Sequence, residues 1–248
     1  ASIAEMGARL KAMRIAILSD VHGNRFALSA VLEDVAREQP DVTANLGDSV
    51  WGASDPGGAW RVLEGLGAVT VRGNTDEMVA RTHPAAGEAG PYADWVRSQL
   101  PEDIPERLAA LPLTVDLAGG DVLLAHGSLH DAWKPLMLLS GPDFRGLAPA
   151  PPQILAERVA EVRARVVVVG HTHREMISGV AGKTVINAGP VSRPFDGIVA
   201  ARWLLLEERS GLWSAQFRRV PYDAEAAAAW AEANSPFGAQ ERELLGVS

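Results

Sequence analysis

The sequence predicts an α/β fold with two sheets, and three observations support this prediction. In the first half, short apolar runs alternate with amphipathic stretches, a pattern typical of parallel strands joined by helices. In the second half, apolar runs follow one another across Gly-containing turns, which indicates a meander of strands. Between the two lies Val166–Val169, four consecutive valines that suit a strand buried on both faces.

The predicted elements of the first half form a βαβαβ unit. They are strands at residues 15–18, 42–46 and 69–71 and helices at residues 25–38 and 58–66. Residues 76–111 lose this rhythm and carry prolines between short helical patches at 92–100 and 105–110, so we expect a small helical cap insertion beside the site. Parallel strands place their following loops at one sheet edge, where α/β proteins usually bind ligands.

The second half predicts the other sheet. Its predicted elements are strands at 113–117, 122–125, 166–169, 176–180, 184–187, 198–206 and 212–220, with helices at 153–164 and 224–233. Residues 13–234 are expected to form a single domain. We expect residues 1–12 to be a leader or an upstream start, and residues 235–248 to be a tail.

Composition narrows the possible functions of the 248-residue chain. A net charge of −8 and a pI near 5.3 argue against a general nucleic-acid or anionic-membrane surface, because both require clustered Lys and Arg. No cysteine is present, which excludes disulfides and thiolate metal sites and fits a reducing compartment. No apolar run approaches the roughly 20 residues of a membrane span, and no secretory signal is recognisable, so a cytoplasmic protein is expected.

Five polar clusters follow predicted strands, and together they predict a site. They are Asp20-Val21-His22, Gly47-Asp48, Gly73-Asn74, His126-Gly127 and Gly170-His171-Thr172-His173. Each alone is also an ordinary turn or capping composition, although two histidines flanking one residue after an all-valine strand favour metal binding. Carboxylate, amide and imidazole groups suit Mn, Fe, Co, Ni or Zn, and paired ions of this kind suit phosphate ester hydrolysis.

These clusters resemble the motifs of the calcineurin-like metallophosphoesterase superfamily, which are D-x-H, G-D, G-N-H-[DE], H and G-H-x-H. The resemblance extends from Ile15 to about Trp203. It is closest to a bacterial and archaeal branch of small phosphodiesterases, because residues 20–24 and 187–191 read Asp-Val-His-Gly-Asn and Asn-Ala-Gly-Pro-Val. The resemblance implies a four-layer α-β-β-α sandwich of two mixed sheets.

The resemblance also implies a ligand set for two divalent ions (Mn, Fe, Ni, Co or Zn, with Mn the first choice in assays). It assigns Asp20, His22 and His173 to one ion, Asn74, His126 and His171 to the other, and Asp48 as the bridge. A hydroxide shared by the ions would then attack phosphorus. The implied activity is that of a phosphodiesterase, with a phosphomonoesterase, a protein phosphatase or a catalytically weak protein-binding scaffold as alternatives.

One position departs from the superfamily pattern. Thr75 stands where phosphoprotein phosphatases carry the histidine that assists the leaving group, and a threonine cannot act as that acid at neutral pH. His130, four residues after His126, is a candidate replacement that would act beside Asp48 and Asn74 in catalysis. Asp76 keeps the acidic position, and we expect it to act as a cap or as a hydrogen-bond partner of a ligand.

Further residues are candidates for substrate contact. Those that could meet the phosphate are Asn24, Arg72, Asn74 and Arg193. An arginine beside a loop is more often in an ion pair, so both interpretations stay open. Trp51 and Trp133 could form an aromatic wall for a nucleobase or belong to the core. The expected substrate is a small-molecule or nucleotide phosphate ester, and the sequence leaves the oligomeric state open.

Overall fold

The computed structural model describes residues 12–81, 89–139 and 148–247. The strands are β1 (Met13–Leu18), β2 (Val42–Asn45), β3 (Val69–Thr70), β4 (Thr114–Leu117), β5 (Val122–Ala125), β6 (Val166–Val169), β7 (Glu175–Val180), β8 (Lys183–Ala188), β9 (Ala201–Arg209) and β10 (Leu212–Val220). The helices are α1 (Arg25–Glu38), α2 (Pro56–Leu66), α3 (Asn74–Val79), α4 (Ala89–Ser98), α5 (Ile104–Ala109), α6 (Pro152–Arg158), α7 (Ala224–Asn234) and α8 (Gly238–Leu245). None of the helices described in these ranges has the length and apolar character needed to cross a membrane.

Two five-stranded mixed sheets form the body of the fold. The first has the order β10-β9-β1-β2-β3, in which β1, β2 and β3 are parallel and β9 is antiparallel to β1. The second has the order β4-β5-β6-β8-β7, with β5, β6 and β8 parallel. The predicted βαβαβ unit and the predicted second sheet are therefore confirmed.

Alternating side chains along the strands build four layers. Ile15 and Ile17 of β1 share one buried cluster with Val166 and Val168 of β6, so the two sheets pack face to face. The intervening β1 residues pack against α1, while the intervening valines of β6 pack against α6. Each fully buried large apolar side chain contributes about 1.5 to 3 kcal/mol. The structure thus confirms the expected α-β-β-α sandwich, in which β6 is covered on both faces.

Two predicted elements have different limits in the structure. The helix predicted at 153–164 ends at Arg158, whose guanidinium donates hydrogen bonds to the carbonyls of Leu136 and Leu138 at 2.5 and 2.7 Å. The strand predicted from residue 198 begins at Ala201, because the Ile198 amide donates to Asp196 Oδ1 in a turn. The strand was predicted to begin too early because apolar residues in this turn have the pattern of a strand.

The expectation of a tail at 235–248 is wrong for Gly238–Leu245, which form α8. Leu245 of this helix packs with Ala227 and Ala228 of α7, and Glu241 is completely buried. Little apolar periodicity marks α8, since its buried face includes a charged residue, and an apolar stripe is the main sequence signal for a packed helix.

The described part of the predicted cap is helical, as expected. Helices α3, α4 and α5 pack around Tyr92, Val96, Ile104 and Leu108, in a cluster that includes Val50 from the loop after β2. Residues 82–88 of the predicted cap lie outside the described residues.

Candidate metal centre

The loops that follow β1, β2, β3, β5 and β6 bring all seven predicted ligands together. The residues are Asp20, His22, Asp48, Asn74, His126, His171 and His173, and each is at most 8% exposed. They come from both sheets, because the carboxyl ends of the parallel strands of each sheet meet at the same edge. We call Asp20, His22 and His173 the first subsite, and Asn74, His126 and His171 the second subsite.

The backbone at this cluster is held in an uncommon conformation. Asp20, His22, Asp48, His171 and His173 have φ values between 49° and 70°, in the left-handed region that favours glycine. A side chain held there costs about 1 to 3 kcal/mol, and such residues gather at functional sites where the surrounding structure fixes them. The tight turns aim carboxylates and imidazoles from successive loops toward one point.

The two carboxylates lie between the imidazoles. Asp20 Oδ1 is 3.5 Å from His173 Nε2, 3.9 Å from His22 Nε2 and 4.0 Å from His126 Nε2. Asp48 directs its two oxygens to different subsites, with Oδ2 3.7 Å from His22 Nε2 and Oδ1 3.4 Å from His126 Nε2. Two groups could each hold an ion, one of Asp20, His22 and His173 and one of Asp20, Asp48 and His126. Asp20 is shared between them, which the sequence did not indicate.

Each of the four imidazoles is fixed by a backbone carbonyl. The Nδ1 atoms of His22, His126 and His173 donate to the carbonyls of Trp51, Leu46 and Arg193 at 3.0, 2.7 and 2.7 Å. His171 is reversed, since its Nε2 donates to the Trp133 carbonyl at 3.0 Å. A histidine bound to a metal typically donates its other ring N–H in this way. In the neutral form, the first three would therefore present Nε2 to a metal, and His171 would present Nδ1.

This arrangement suits a bound cation. His22 Nε2 and His173 Nε2 lie 2.9 Å apart, so in the neutral form of both rings, with Nδ1 as the donor, two lone pairs face one another. Asp20 Oδ1 is buried and has no hydrogen-bond partner. In the second subsite, Asn74 Oδ1 lies 3.0 Å from His126 Nε2. Converging nitrogen and oxygen donors of this kind fit divalent transition metals.

Burial keeps the donors suited to a metal. Burial, assisted by Arg193, holds the pKa of His22 well below its usual value, and burial lowers the pKa of His171 to about 3. Both imidazoles are therefore neutral and able to ligate. Burial also raises the pKa of Asp48 to about 6, with Asp20 and Asp76 adding to the rise and His126 opposing it. A nearby cation would favour the ionised form of Asp48.

Further hydrogen bonds fix the side chain of Asp20 and the backbone of Asp48. Asp20 Oδ2 accepts from Ser19 Oγ at 2.6 Å and from the His171 amide at 3.1 Å. Asp76 accepts from the amides of Asp48, Ser49 and Gly73 at 2.9 to 3.0 Å, which supports its interpretation as a cap and a partner. Sequence reasoning missed Ser19, because a serine beside an aspartate carries no signal of its own.

Three predicted substrate contacts need correction, because their polar groups are already bonded within the protein. Asn24 caps α1 through the Ala27 amide, at 3.0 Å. The Arg72 guanidinium donates to Glu77 Oε1 at 3.1 Å and to the carbonyls of Ala109 and Leu111 at 2.8 and 3.1 Å. The Arg193 guanidinium is buried in an ion pair with Glu241. For both arginines, the ion-pair interpretation is therefore the one that the structure supports.

The candidate acid His130 is not brought to the site. A turn in which the Ser128 amide donates to the Asp131 carbonyl at 3.0 Å carries His130 to the surface. It lines a cavity of about 700 Å³ with residues of β4, β5 and the segment from α6 to β6, and none of the seven candidate ligands borders that cavity. The prediction that His130 reaches the site, which was based on its position four residues after His126, is therefore wrong.

Both tryptophans beside the site pack within the protein. The Trp51 ring lies 5.0 Å from the Tyr92 ring, and the Trp133 indole donates to Glu77 Oε2 at 2.8 Å. Their backbone carbonyls accept the hydrogen bonds from the rings of His22 and His171. Both rings are nevertheless only half-buried, and Trp51 also lines a cavity of about 420 Å³, so the aromatic wall stays a prediction.

Comparisons with known proteins agree with this geometry. The sequence model of the calcineurin-like phosphoesterase superfamily domain matches residues 13–210. An uncharacterized protein of Methanocaldococcus jannaschii is 25% identical over 84% of this chain and 88% of its own. The crystal structure of a metallophosphoesterase from Sphaerobacter thermophilus has a TM-score of 0.72 and 27% identity, covering 95% of this chain and 100% of that one. A hypothetical protein from Pyrococcus horikoshii shares the fold at a TM-score of 0.70 and 15% identity, covering 89% and 93%.

Proposed function

Since the chain belongs to the calcineurin-like phosphoesterase superfamily, we propose that it is a metal-dependent hydrolase of phosphate diesters that uses two divalent ions. The observation that carries the proposal is the facing pair of lone pairs on His22 and His173 beside the unpartnered oxygen of Asp20. A divalent cation would bind all of these donors at once, and holding it would account for the strained loops.

The residues that would hold the ions follow from the donors present. The first subsite offers two Nε2 atoms and Asp20, the second offers Asn74, His126 and the Nδ1 of His171, and Asp48 faces both. Two divalent cations supply an activated water at neutral pH and offset charge on the phosphoryl oxygens. The protein's contribution is to fix the carboxylates and imidazoles in place and to exclude water from their outer faces.

The expected leaving group follows from the residues around Asp48. Thr75 donates its amide to Asp48 Oδ1 at 2.9 Å, and its hydroxyl has no partner. Among the described residues, the histidines other than the four at the site amount to His130, which lies elsewhere. The Asp76 carboxylate already accepts hydrogen bonds from three backbone amides. Because none of the imidazoles in the described ranges is placed to protonate a leaving alkoxide, we expect esters with acidic leaving groups to react fastest.

The test is turnover by metal-free protein to which Mn, Co, Ni or Zn is returned. Bis-p-nitrophenyl phosphate and p-nitrophenyl phosphate release the same nitrophenolate and should both be hydrolysed much faster than a phosphoserine peptide. Faster turnover of the diester than of the monoester supports the assignment to diesters, and chelated protein is the control. Absence of turnover with all four metals would contradict the enzyme proposal and favour a binding scaffold. Faster hydrolysis of the monoesters would contradict only the assignment to diesters.

A further inference from the structure

We infer that Glu241 of α8, acting through Arg193, is a positioning residue for the first subsite. The inference rests on the proposed two-metal function. It adds a role for a helix that lies beyond residue 210, where the match to the family ends. The role is indirect, because Glu241 acts on the backbone that holds the imidazoles of His22 and His173.

Glu241 is the centre of a buried polar network. It is completely buried and pairs with the Arg193 guanidinium, which is 5% exposed. Its Oε2 also accepts from the Ala53 amide at 3.0 Å and from the Tyr92 hydroxyl at 3.1 Å. The network therefore joins α8, α4 and the loops after β2 and β8, four parts of the chain that are far apart in sequence.

Arg193 connects this network to both imidazoles of the first subsite. Its carbonyl accepts the His173 Nδ1–H at 2.7 Å. Its guanidinium donates at 3.2 Å to the Trp51 carbonyl, and the same carbonyl accepts the His22 Nδ1–H at 3.0 Å. One arginine thus fixes the orientation of the two nitrogens that face each other, and Glu241 fixes the arginine.

Arg193 has an uncommon backbone conformation at the point where its carbonyl contacts His173. Its φ is 59°, a left-handed value for a residue that is not glycine, and this is the conformation in which its carbonyl faces His173. A buried ion pair that served only to dock α8 would not need to involve the residue whose carbonyl holds a ligand. Outer partners of metal ligands typically change metal affinity roughly 10- to 100-fold.

The test compares Glu241→Gln with wild type in Mn²⁺ binding by the full chain, measured by equilibrium dialysis, with electron paramagnetic resonance to detect spin-coupled ion pairs. Wild type should bind two ions per chain and show the coupled signal. Glu241→Gln should bind one ion at least about tenfold more weakly and lose the coupled signal at limiting Mn²⁺. His173→Ala supplies the reference for an impaired first subsite, and His126→Ala for an impaired second one.

Controls separate positioning from folding. Glu243→Gln makes the same chemical change at an exposed position of α8 and should bind Mn²⁺ as wild type does. Glu241→Asp keeps the charge and should recover part of the weakened affinity. Should Glu241→Gln fail to fold, Tyr92→Phe removes one hydroxyl from the same network and is expected to weaken the same ion by a smaller factor.

The outcomes also distinguish this inference from the proposed function. Two ions bound with wild-type affinity by folded Glu241→Gln, or by Tyr92→Phe in its place, would overturn the positioning role and leave the two-metal proposal standing. A wild-type chain that binds no Mn²⁺, Co²⁺, Ni²⁺ or Zn²⁺ would overturn both. A Glu241→Gln pattern that matches His126→Ala would place the effect at the wrong subsite and overturn the inference as well.

Discussion

The two subsites are held by different kinds of structure. In the second, His126 donates to the carbonyl of Leu46, whose own amide is bonded to Leu18 at the end of β1. In the first, His22 and His173 donate to carbonyls of two loop residues, Trp51 and Arg193, which depend on a buried ion pair with α8. Sheet backbone therefore supports His126 of the second subsite, whereas His171 donates to the loop carbonyl of Trp133. Both histidines of the first subsite donate to loop carbonyls that are also tied to the ion pair with α8.

This difference indicates where each subsite is vulnerable. A carbonyl in the strand-end hydrogen-bonding pattern cannot move without disturbing both neighbouring strands, so the orientation of His126 is as stable as the first sheet. A carbonyl in a loop moves when one side-chain contact is lost, which makes His22 and His173 sensitive to substitutions far away in sequence. Asp48 faces both subsites, so a substitution of Asp48 should affect the two subsites alike.

The largest effect is expected for Asp48→Asn, which should remove the distinction between the subsites. The change retains shape but removes the negative charge between His22 and His126, so both ions should bind more weakly and kcat for bis-p-nitrophenyl phosphate should fall by about a hundredfold to a thousandfold. The melting temperature of the metal-free protein should change little, because the buried carboxyl is isosteric with the amide. Metal content and steady-state kinetics are the measurements.

Asp116→Asn is the matched control, since Asp116 lies on β4 with an exposed side chain. It should leave both metal content and kcat unchanged. Turnover by Asp48→Asn near the wild-type rate would contradict the bridging position.

A smaller effect is expected for Gly170→Ala, which tests whether packing alone holds Asp20 at the boundary of the subsites. A methyl group on Gly170 would collide with Ser19 Oγ and Asp20 Oδ2. Relieving that collision should lower the free energy of unfolding by about 1 to 3 kcal/mol. It should also weaken the first ion more than the second, since Asp20 lies closest to His173. Denaturant unfolding and Mn²⁺ titration measure the two effects.

Gly179→Ala is the control, because Gly179 is an exposed residue of β7 with no neighbouring atom within 4 Å of an added methyl group. It should leave metal binding unchanged and raise the free energy of unfolding by about 0.5 to 1 kcal/mol. Equal behaviour of the two alanine variants would show that Asp20 is not held by packing against Gly170.

Trp133→Phe should have a weaker effect and acts on the second subsite. The indole donates to Glu77 Oε2 at 2.8 Å, while the carbonyl of the same residue receives His171. Loss of one hydrogen bond worth about 0.5 to 1.5 kcal/mol should lower kcat/KM roughly two- to tenfold. The affinity of the first ion should not change, and a loss confined to the first ion would contradict the separation of the subsites.

Trp213→Phe is its control, because the Trp213 indole makes the same kind of bond, to Asp121 Oδ2 at 3.1 Å, on β10 and away from the seven candidate ligands. The control should lose stability without losing activity.

The same difference explains what could be predicted from the sequence. The positions of all seven candidate ligands follow from local pattern, because each comes directly after an apolar run and parallel strands end at one edge. The Arg193 and Glu241 pair could not be predicted, since the residues are 48 apart and α8 lacks an apolar stripe. Asn24 was misassigned although its signal was local. An asparagine just before a predicted helix is a strong N-cap candidate, and that is its role here.

The smallest effect is expected for Thr75→Val, which tests the environment of Asp48 on its second-subsite side. The Thr75 hydroxyl is buried without a partner, whereas its amide holds Asp48 Oδ1. A valine keeps the shape and the amide, so the free energy of unfolding should stay the same or rise by about 1 kcal/mol. Thr70→Val, which removes a hydroxyl that donates to the Ala68 carbonyl at 3.1 Å, should lower it by a similar amount. Because we assign the hydroxyl no part in protonating a leaving group, kcat for the diester should change less than about twofold, and a tenfold loss in Thr75→Val alone would show that the hydroxyl contacts the substrate.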